Sequence, residues 1–136
     1  MAKNTDREIV QHIDQAFSAL IVSLKDLARS VPPENLLRSA AAIEQMCGGL
    51  TANLWDDPFE WTLPETLSNA DLILEYLSEV DLARERAFNS IDDVALTKYI
   101  SVPSGESQVL ITLLLEILVK ASDLRGRAAT EGRPYS

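Results

Sequence analysis

Three charged side chains in the last apolar segment of the chain could act together. Glu116, Lys120 and Asp123 follow one another at intervals of four and three residues, so a helix places them on one face. The two carboxylates could ligate a hard cation. The ammonium of Lys120 between them opposes this, because it already supplies a positive charge. The pattern predicts a metal-free feature, either an exposed ladder of charges or a polar patch inside a cleft.

Cys47 is the second candidate for chemistry. It lies on the apolar stripe of a predicted helix, where a thiol serves as a small buried hydrophobe. A reactive thiol needs a cationic, partly exposed neighbourhood, which Lys120 supplies only if their two helices face each other. A single cysteine excludes an internal disulfide and a cysteine-based zinc site, and the single histidine, His12, lies beside the apolar line of its helix. We therefore assign no catalytic residue, no metal ligand and no cofactor.

Large aromatic side chains mark the segment of residues 55–66. Trp55, Phe59 and Trp61 occur there with two prolines, and proline interrupts a helix. The segment is therefore predicted to be a loop with apolar anchors. The aromatic side chains either plug one end of the core or form a lid that faces a ligand.

Four stripes of apolar residues at helical spacing must position these side chains. They predict helices at about 6–30, 33–54, 67–92 and 104–129, followed by a frayed tail at 131–136. The first stripe consists of Ile9, Ile13, Phe17, Leu20, Leu24 and Leu27. Ser68 and Asp71 resemble a capping box at the start of the third helix. A short helical turn or strand is possible around residues 95–100.

The lengths of these helices indicate how they pack. Long helices of similar length form bundles, and two connections of about 12 residues are long enough to cross the end of a bundle. The sequence predicts one all-α domain over residues 1–136, a four-helix bundle that runs up-down with crossover loops.

The fourth predicted helix has polar side chains on one side only. On a helical wheel they fall within an arc of about 80°, and they are Thr112, Glu116, Lys120, Asp123 and Arg127. Nearly all other residues from Leu110 to Leu124 are apolar. Such a helix is either central in its bundle or shared with a second subunit. We expect a homodimer whose interface uses this helix.

The charge of the chain narrows the classes of partner. Twelve basic and 21 acidic residues give a net charge of −9, which opposes binding to nucleic acid and to anionic lipid. The longest apolar run, Val109–Val119, has eleven residues, whereas a membrane span needs about 20. The first ten residues contain no apolar signal core. We predict a soluble, cytoplasmic protein without a nucleic-acid or membrane partner.

The fourth helix resembles a motif of the DinB/YfiT-like family, H-E-x-H-H-R-G-Q. Residues 120–127 read KASDLRGR, in which Arg125 and Gly126 match the R-G of the motif. Lys120 stands where the first metal-binding histidine is expected, and Leu124 stands where the second is expected. The segment LWDDPFEWTLPET is also similar to the one that follows the family's first ligand helix, but residues 45–47 of that helix hold no histidine.

Family members are four-helix bundles, often dimeric, and include metal-dependent thiol transferases. The resemblance implies a degenerate member without the metal-binding histidines. Its predicted role is metal-free and non-catalytic, binding a small ligand or a protein partner in an inter-helix cleft as a homodimer. The alternatives are a thiol-dependent or metal-dependent enzyme with an altered site, and a purely structural interaction module. The candidate cleft residues are Glu116, Lys120, Asp123, Leu124, Cys47, Trp55 and Trp61.

Overall fold

The computed structural model describes residues 7–52, 69–101 and 107–131. Helices make up most of this part, and they are α1 (Glu8–Leu27), α2 (Pro33–Ala52), α3 (Ala70–Asn89) and α4 (Leu110–Glu131). Two short strands, β1 (Tyr99–Ser101) and β2 (Ser107–Val109), pair antiparallel before α4. The predicted all-α class with four helices is confirmed. In the described ranges, none of the helices is both long enough and apolar enough to cross a membrane.

Contacts between α1 and its neighbours give the relative directions of three helices. Asp14, early in α1, pairs with Arg84, late in α3, and Arg29, just after α1, pairs with Asp71 at the start of α3. These two helices are therefore antiparallel. The guanidinium of Arg125, late in α4, donates to the hydroxyl of Ser23, late in α1, so α1 and α4 run in the same direction.

The direction of α2 follows from its contacts with α4. Asn35 at the start of α2 donates to Glu131 at the end of α4 over 2.9 Å, and the hydroxyl of Ser39 donates to the carbonyl of Ala121 over 2.7 Å. Since α2 is antiparallel to α4, it runs parallel to α3. Consecutive parallel helices cannot be joined by a short turn, which fits the predicted crossover topology.

The centre of the core is α2. It packs against both α3 and α4, and residues around most of its circumference are buried, including the small residues Ala40, Ala41 and Ala42. A central position in the bundle was one of the two positions that the sequence allowed for α4. In the structure α2 is central, and one side of α4 is exposed to solvent. In α1, Val10 and Ile21 join the predicted core stripe, and Ile9 is half exposed.

The start of α1 and the end of α3 cap each other. The carboxylate of Asp93 accepts hydrogen bonds from the N–H groups of Ile9 and Val10, at 3.2 and 2.9 Å. The guanidinium of Arg7 donates to the carbonyl oxygens of Phe88 and Ile91, at 2.6 and 3.3 Å. An anion at a helix N-terminus and a cation at a C-terminus both suit the helix dipole. These contacts fix α1 against α3 at one end of the bundle.

The described start of α3 is capped by Asn69. Its side-chain oxygen accepts a hydrogen bond from the N–H of Leu72 at 2.9 Å, which is the usual role of an N-cap residue. The carboxylate of Asp71 instead pairs with Arg29. The described start of α3 therefore has a single side-chain cap at Asn69 and not a capping box, because Leu72, three residues on, has no side-chain acceptor.

The connection from α3 to α4 contains both alternatives that the sequence allowed. A 3₁₀ turn at Ala95–Thr97 precedes β1, and the N–H of Leu110 donates to the carbonyl of Lys98 at 2.9 Å. Because residues 107–109 are paired as a strand, α4 begins at Leu110 rather than near residue 104.

Candidate functional site

The outer face of α4 gathers most of the described candidate residues. Glu116, Lys120 and Asp123 are all exposed, and Leu124 on the same helix is half buried. This side of α4 turns away from α2, because the residues that pack inward are Leu110, Leu113, Leu114, Ala121 and Ala128. The charged side chains are therefore on the surface of the bundle and not between its helices.

Large apolar side chains are exposed on the same face. Leu115 is 45% exposed and Val119 is 69% exposed. The sequence predicted a narrow wetted stripe with apolar residues covered on either side. Among the described elements, α2 and α1 make most of the contacts with α4, and the 3₁₀ turn and β2 also contact it, so a wider part of α4 is exposed than the sequence predicted. Exposed apolar residues that lie together often mark a contact with another molecule.

A shallow groove of about 460 Å³ runs along this apolar strip. It is lined by Thr112, Leu115, Glu116, Val119 and Lys120. The carboxylate of Glu116 accepts hydrogen bonds from the side-chain amide of Gln108, at 3.1 and 3.2 Å. Charged side chains thus border the groove, whereas its floor is apolar. This arrangement resembles the apolar centre and polar rim of a protein interface.

A second hollow of about 710 Å³ lies near the end of α4, around Gly126, and Asn35 at the start of α2 lines its edge. A side-chain carbon at Gly126 would meet no atom within 4 Å, so the missing side chain leaves open space on the helix. An ion pair between Arg127 and Asp123, with an N–O distance of 3.1 Å, forms one edge. Both of its side chains are largely exposed, so the pair contributes little stability by itself.

Cys47 lies in the core, away from this face. Its side chain is 1% exposed. Burial raises the pKa of the thiol to about 12. The Arg84 guanidinium acts against this rise, and the carboxylates of Glu44 and Asp14 act with it. The thiol is therefore protonated at neutral pH and is a poor nucleophile. The structure places Cys47 and Lys120 in different parts of the molecule, one inside the bundle and one on its surface.

A buried ion cluster near Cys47 was not predicted from the sequence. Arg84 on α3 is 7% exposed, and its guanidinium donates to the carboxylates of Asp14 on α1 and Asp81 on α3. Burial by itself would lower the pKa of Arg84, but the hydrogen bonds to Asp81 and Asp14 outweigh it and raise the pKa above its ordinary value. Arg84 therefore stays charged inside the bundle.

The position of Arg84 was visible in the spacing of α3. The apolar stripe Ile73, Leu77, Val80 and Ala87 leaves one place open, and Arg84 occupies it. A charged residue on such a stripe indicates a buried partner elsewhere in the chain. Which partner it has depends on the packing of α1, since Asp14 is 70 residues away.

Tyr76 and Glu44 form a second polar contact between helices. The hydroxyl of Tyr76 on α3 donates to the carboxylate of Glu44 on α2 at 2.9 Å. Burial raises the pKa of Tyr76 well above its ordinary value, and the negative charge of Glu44 acts in the same direction. The contact joins the two parallel helices and keeps the phenol protonated.

Trp55, Phe59 and Trp61 lie outside the described residues. His12 is exposed on α1. Across the three described ranges, no group of three or more His, Cys, Asp or Glu side chains is arranged to hold a metal ion.

Comparisons with protein-family models, with curated proteins and with solved structures find no match to this chain.

Proposed function

We propose that this protein is a non-catalytic helical bundle that forms a homodimer through the outer face of α4. The observation that carries the proposal is the exposure of Leu115 and Val119 beside the charged side chains of the same face. Removing apolar surface from water contributes about 25 cal/mol per Å², from which the costs of association are subtracted. A stable interface buries roughly 1,200–2,000 Å² in total, so flanking parts of the bundle would contribute as well.

The dimer is tested by measuring mass in solution. Light scattering at micromolar concentration is expected to give about 30 kDa, twice the 15.0 kDa of the chain. Leu115→Lys is expected to give the monomer mass, because it buries an ammonium in the apolar centre of the interface. Leu82→Lys on α3 is the matched control, since Leu82 is 52% exposed but lies on a different helix. A monomeric wild-type protein, or equal loss of dimer in both variants, contradicts the proposal.

The resemblance to DinB/YfiT-like proteins stays a prediction. The four-helix architecture is compatible with it, and Arg125 and Gly126 carry its specific part. Lys120 is exposed on the outer face of α4, and Cys47 is buried in the core. These positions do not support a cleft shared by Lys120 and Cys47.

The alternative function is an enzyme with an altered site. A thiol-dependent transferase that used Cys47 would need a thiolate, and burial raises the pKa of this thiol to about 12. Thermal denaturation with zinc, nickel or manganese ions, and with low-molecular-weight thiols, separates the two functions. The non-catalytic homodimer is expected to show no metal-dependent rise in melting temperature. A rise at micromolar metal would favour the enzyme.

A further inference from the structure

The exposed side of α4 has the spacing of a coiled-coil seam. Its members recur at intervals of three, four, three and four residues, and they are Thr112, Leu115, Val119, Ser122 and Gly126. This is the repeat by which one helix presents a straight line of side chains to another. Four of the five are exposed and Gly126 is half buried.

Side-chain size changes along this seam. The larger residues Leu115 and Val119 lie in the first half of α4, beside the groove, and the smaller residues Ser122 and Gly126 lie in the second half, beside the hollow. A surface with large apolar side chains at one end and small residues beside a hollow at the other fits a second copy of itself in the reverse orientation. Leu115 of each copy then enters the hollow between Gly126 and Thr130 of the other. Large residues opposite small ones are the arrangement that fills an interface.

The charges on the flank of the seam indicate the same orientation. Their signs alternate along the helix, negative at Glu116, positive at Lys120, negative at Asp123 and positive at Arg127, and all four are exposed. Glu116 and Arg127 are equally far from the midpoint between residues 121 and 122, and so are Lys120 and Asp123. A two-fold axis at this midpoint, perpendicular to both helices, brings the same flank of each copy together in reverse order.

We propose that two copies of the chain pack antiparallel through α4, about a two-fold axis beside Ser122. Glu116 of each copy then faces Arg127 of the other, and Lys120 of each copy faces Asp123 of the other. Four ion pairs then connect the two copies across the axis. The ion pair within the helix between Asp123 and Arg127 joins this network. This inference rests on the proposed homodimer and adds its orientation and register.

Cysteine cross-linking tests the orientation. In Ser122→Cys the two new thiols lie next to the axis, and oxidation is expected to give a covalent dimer. In Thr112→Cys the two new thiols are about 28 Å apart along the helix axes, at 1.5 Å per residue. This distance is too long for a disulfide. The wild-type chain is the control, because its one thiol is buried. Light scattering before oxidation establishes that each variant is dimeric.

The two cross-linking results separate the proposals. A covalent dimer from Thr112→Cys would establish a parallel arrangement and overturn the antiparallel one. A dimeric mass without a cross-link in Ser122→Cys would show that Ser122 does not lie beside the two-fold axis, and would overturn the register while leaving a homodimer. A monomeric mass in the wild-type protein overturns the proposed function itself.

Charge reversal tests the register. Lys120→Glu places like charges opposite Asp123, and Asp123→Lys places like charges opposite Lys120. Each variant alone is expected to dimerise about tenfold more weakly. In an equimolar mixture the heterodimer restores opposite charges at both positions, so the dimer is expected to return. If mixing does not restore the dimer, the register is contradicted. Any effect of a substitution within its own helix is the same in the separate variants and in the mixture.

Discussion

Arg84 is the one buried charged side chain among the described residues. It links α1 to α3, because its partners Asp14 and Asp81 come from both helices. A charge inside a bundle is expensive unless it is paired and hydrogen-bonded, and no buried polar side-chain atom in the described part lacks a hydrogen-bond partner. The pairing therefore helps to fix how α1 and α3 align.

Removing the guanidinium should destabilise the bundle. Arg84→Ala is expected to lower the free energy of unfolding by about 3 kcal/mol, because two carboxylates lose their cation and a cavity forms. Arg86→Ala on the exposed side of the same helix controls for helix propensity and should change the free energy of unfolding by no more than about 0.5 kcal/mol. Urea denaturation measures this free energy for both variants. Similar values for the two variants would show that the buried cluster contributes no net stability.

Cys47 should make stability depend on alkaline pH. The thiol has its ordinary pKa near 9 when the chain is unfolded and about 12 when it is folded, so its contribution is complete below pH 9. Between pH 9 and 12 only the unfolded state releases the proton, and the free energy of unfolding falls by up to about 1.4 kcal/mol per pH unit.

The variant Cys47→Ala isolates this effect from other groups that titrate in the same range. Its free energy of unfolding is expected to fall less steeply than that of the wild type between pH 9 and 12. Denaturant titrations at each pH supply the two curves. Parallel curves would mean that the thiol is not desolvated in the folded protein.

At the scale of the elements, the helix ends are stabilised by residues from other elements. Neither Arg7 nor Asp93 belongs to the helix that it caps, since Asp93 follows α3 and caps α1, and Arg7 precedes α1 and caps α3. The capping therefore depends on the packing of these two helices. It also orients the segment that leads to β1.

Shortening Asp93 should loosen the start of α1. Asp93→Ala removes the acceptor for two N–H groups and is expected to cost about 1 kcal/mol. Asp93→Asn keeps one acceptor oxygen but loses the charge that favours a helix N-terminus, so about half of this cost is expected. Hydrogen exchange at the amides of Ile9 and Val10 reports the change locally. Unchanged exchange in Asp93→Ala would argue against this cap.

At the scale of the whole molecule, the layout of the bundle explains which surface is left open. Because α2 is central and packs against both α3 and α4, α4 uses one side for the core and presents the other to solvent. The apolar residues on that side, Leu115 and Val119, are exposed and contribute little to the core of the single chain. Association through them would couple folding to dimerisation.

This coupling predicts a melting temperature that depends on protein concentration. If the folded chain dimerises and the unfolded chain does not, mass action stabilises the folded state as concentration rises. The wild-type protein is expected to melt at a higher temperature at 100-fold higher concentration, whereas Leu115→Lys should melt at the same temperature at both. Differential scanning calorimetry measures the shift. A wild-type melting temperature that does not change with concentration would argue against the dimer.

The sequence by itself determined the features that depend on local spacing. Apolar residues at helical intervals predicted the four helices, and the interval between Glu116, Lys120 and Asp123 predicted that they share a face. Both depend on the geometry of a single helix, which does not change with its neighbours. The terminal residues of α3 and α4 were less accurately predicted, because Asn69 and the pairing of β1 with β2 set them.

Only the tertiary structure decided what surrounds each face. Periodicity shows which side of a helix is apolar, but it does not show whether another helix covers that side. The burial of Arg84 depends on Asp14, 70 residues away, and the exposure of Leu115 depends on where α1 and α2 pack. Lys120 is separated from Cys47 for the same reason, since the face of α4 that holds Lys120 is the one that no described helix covers.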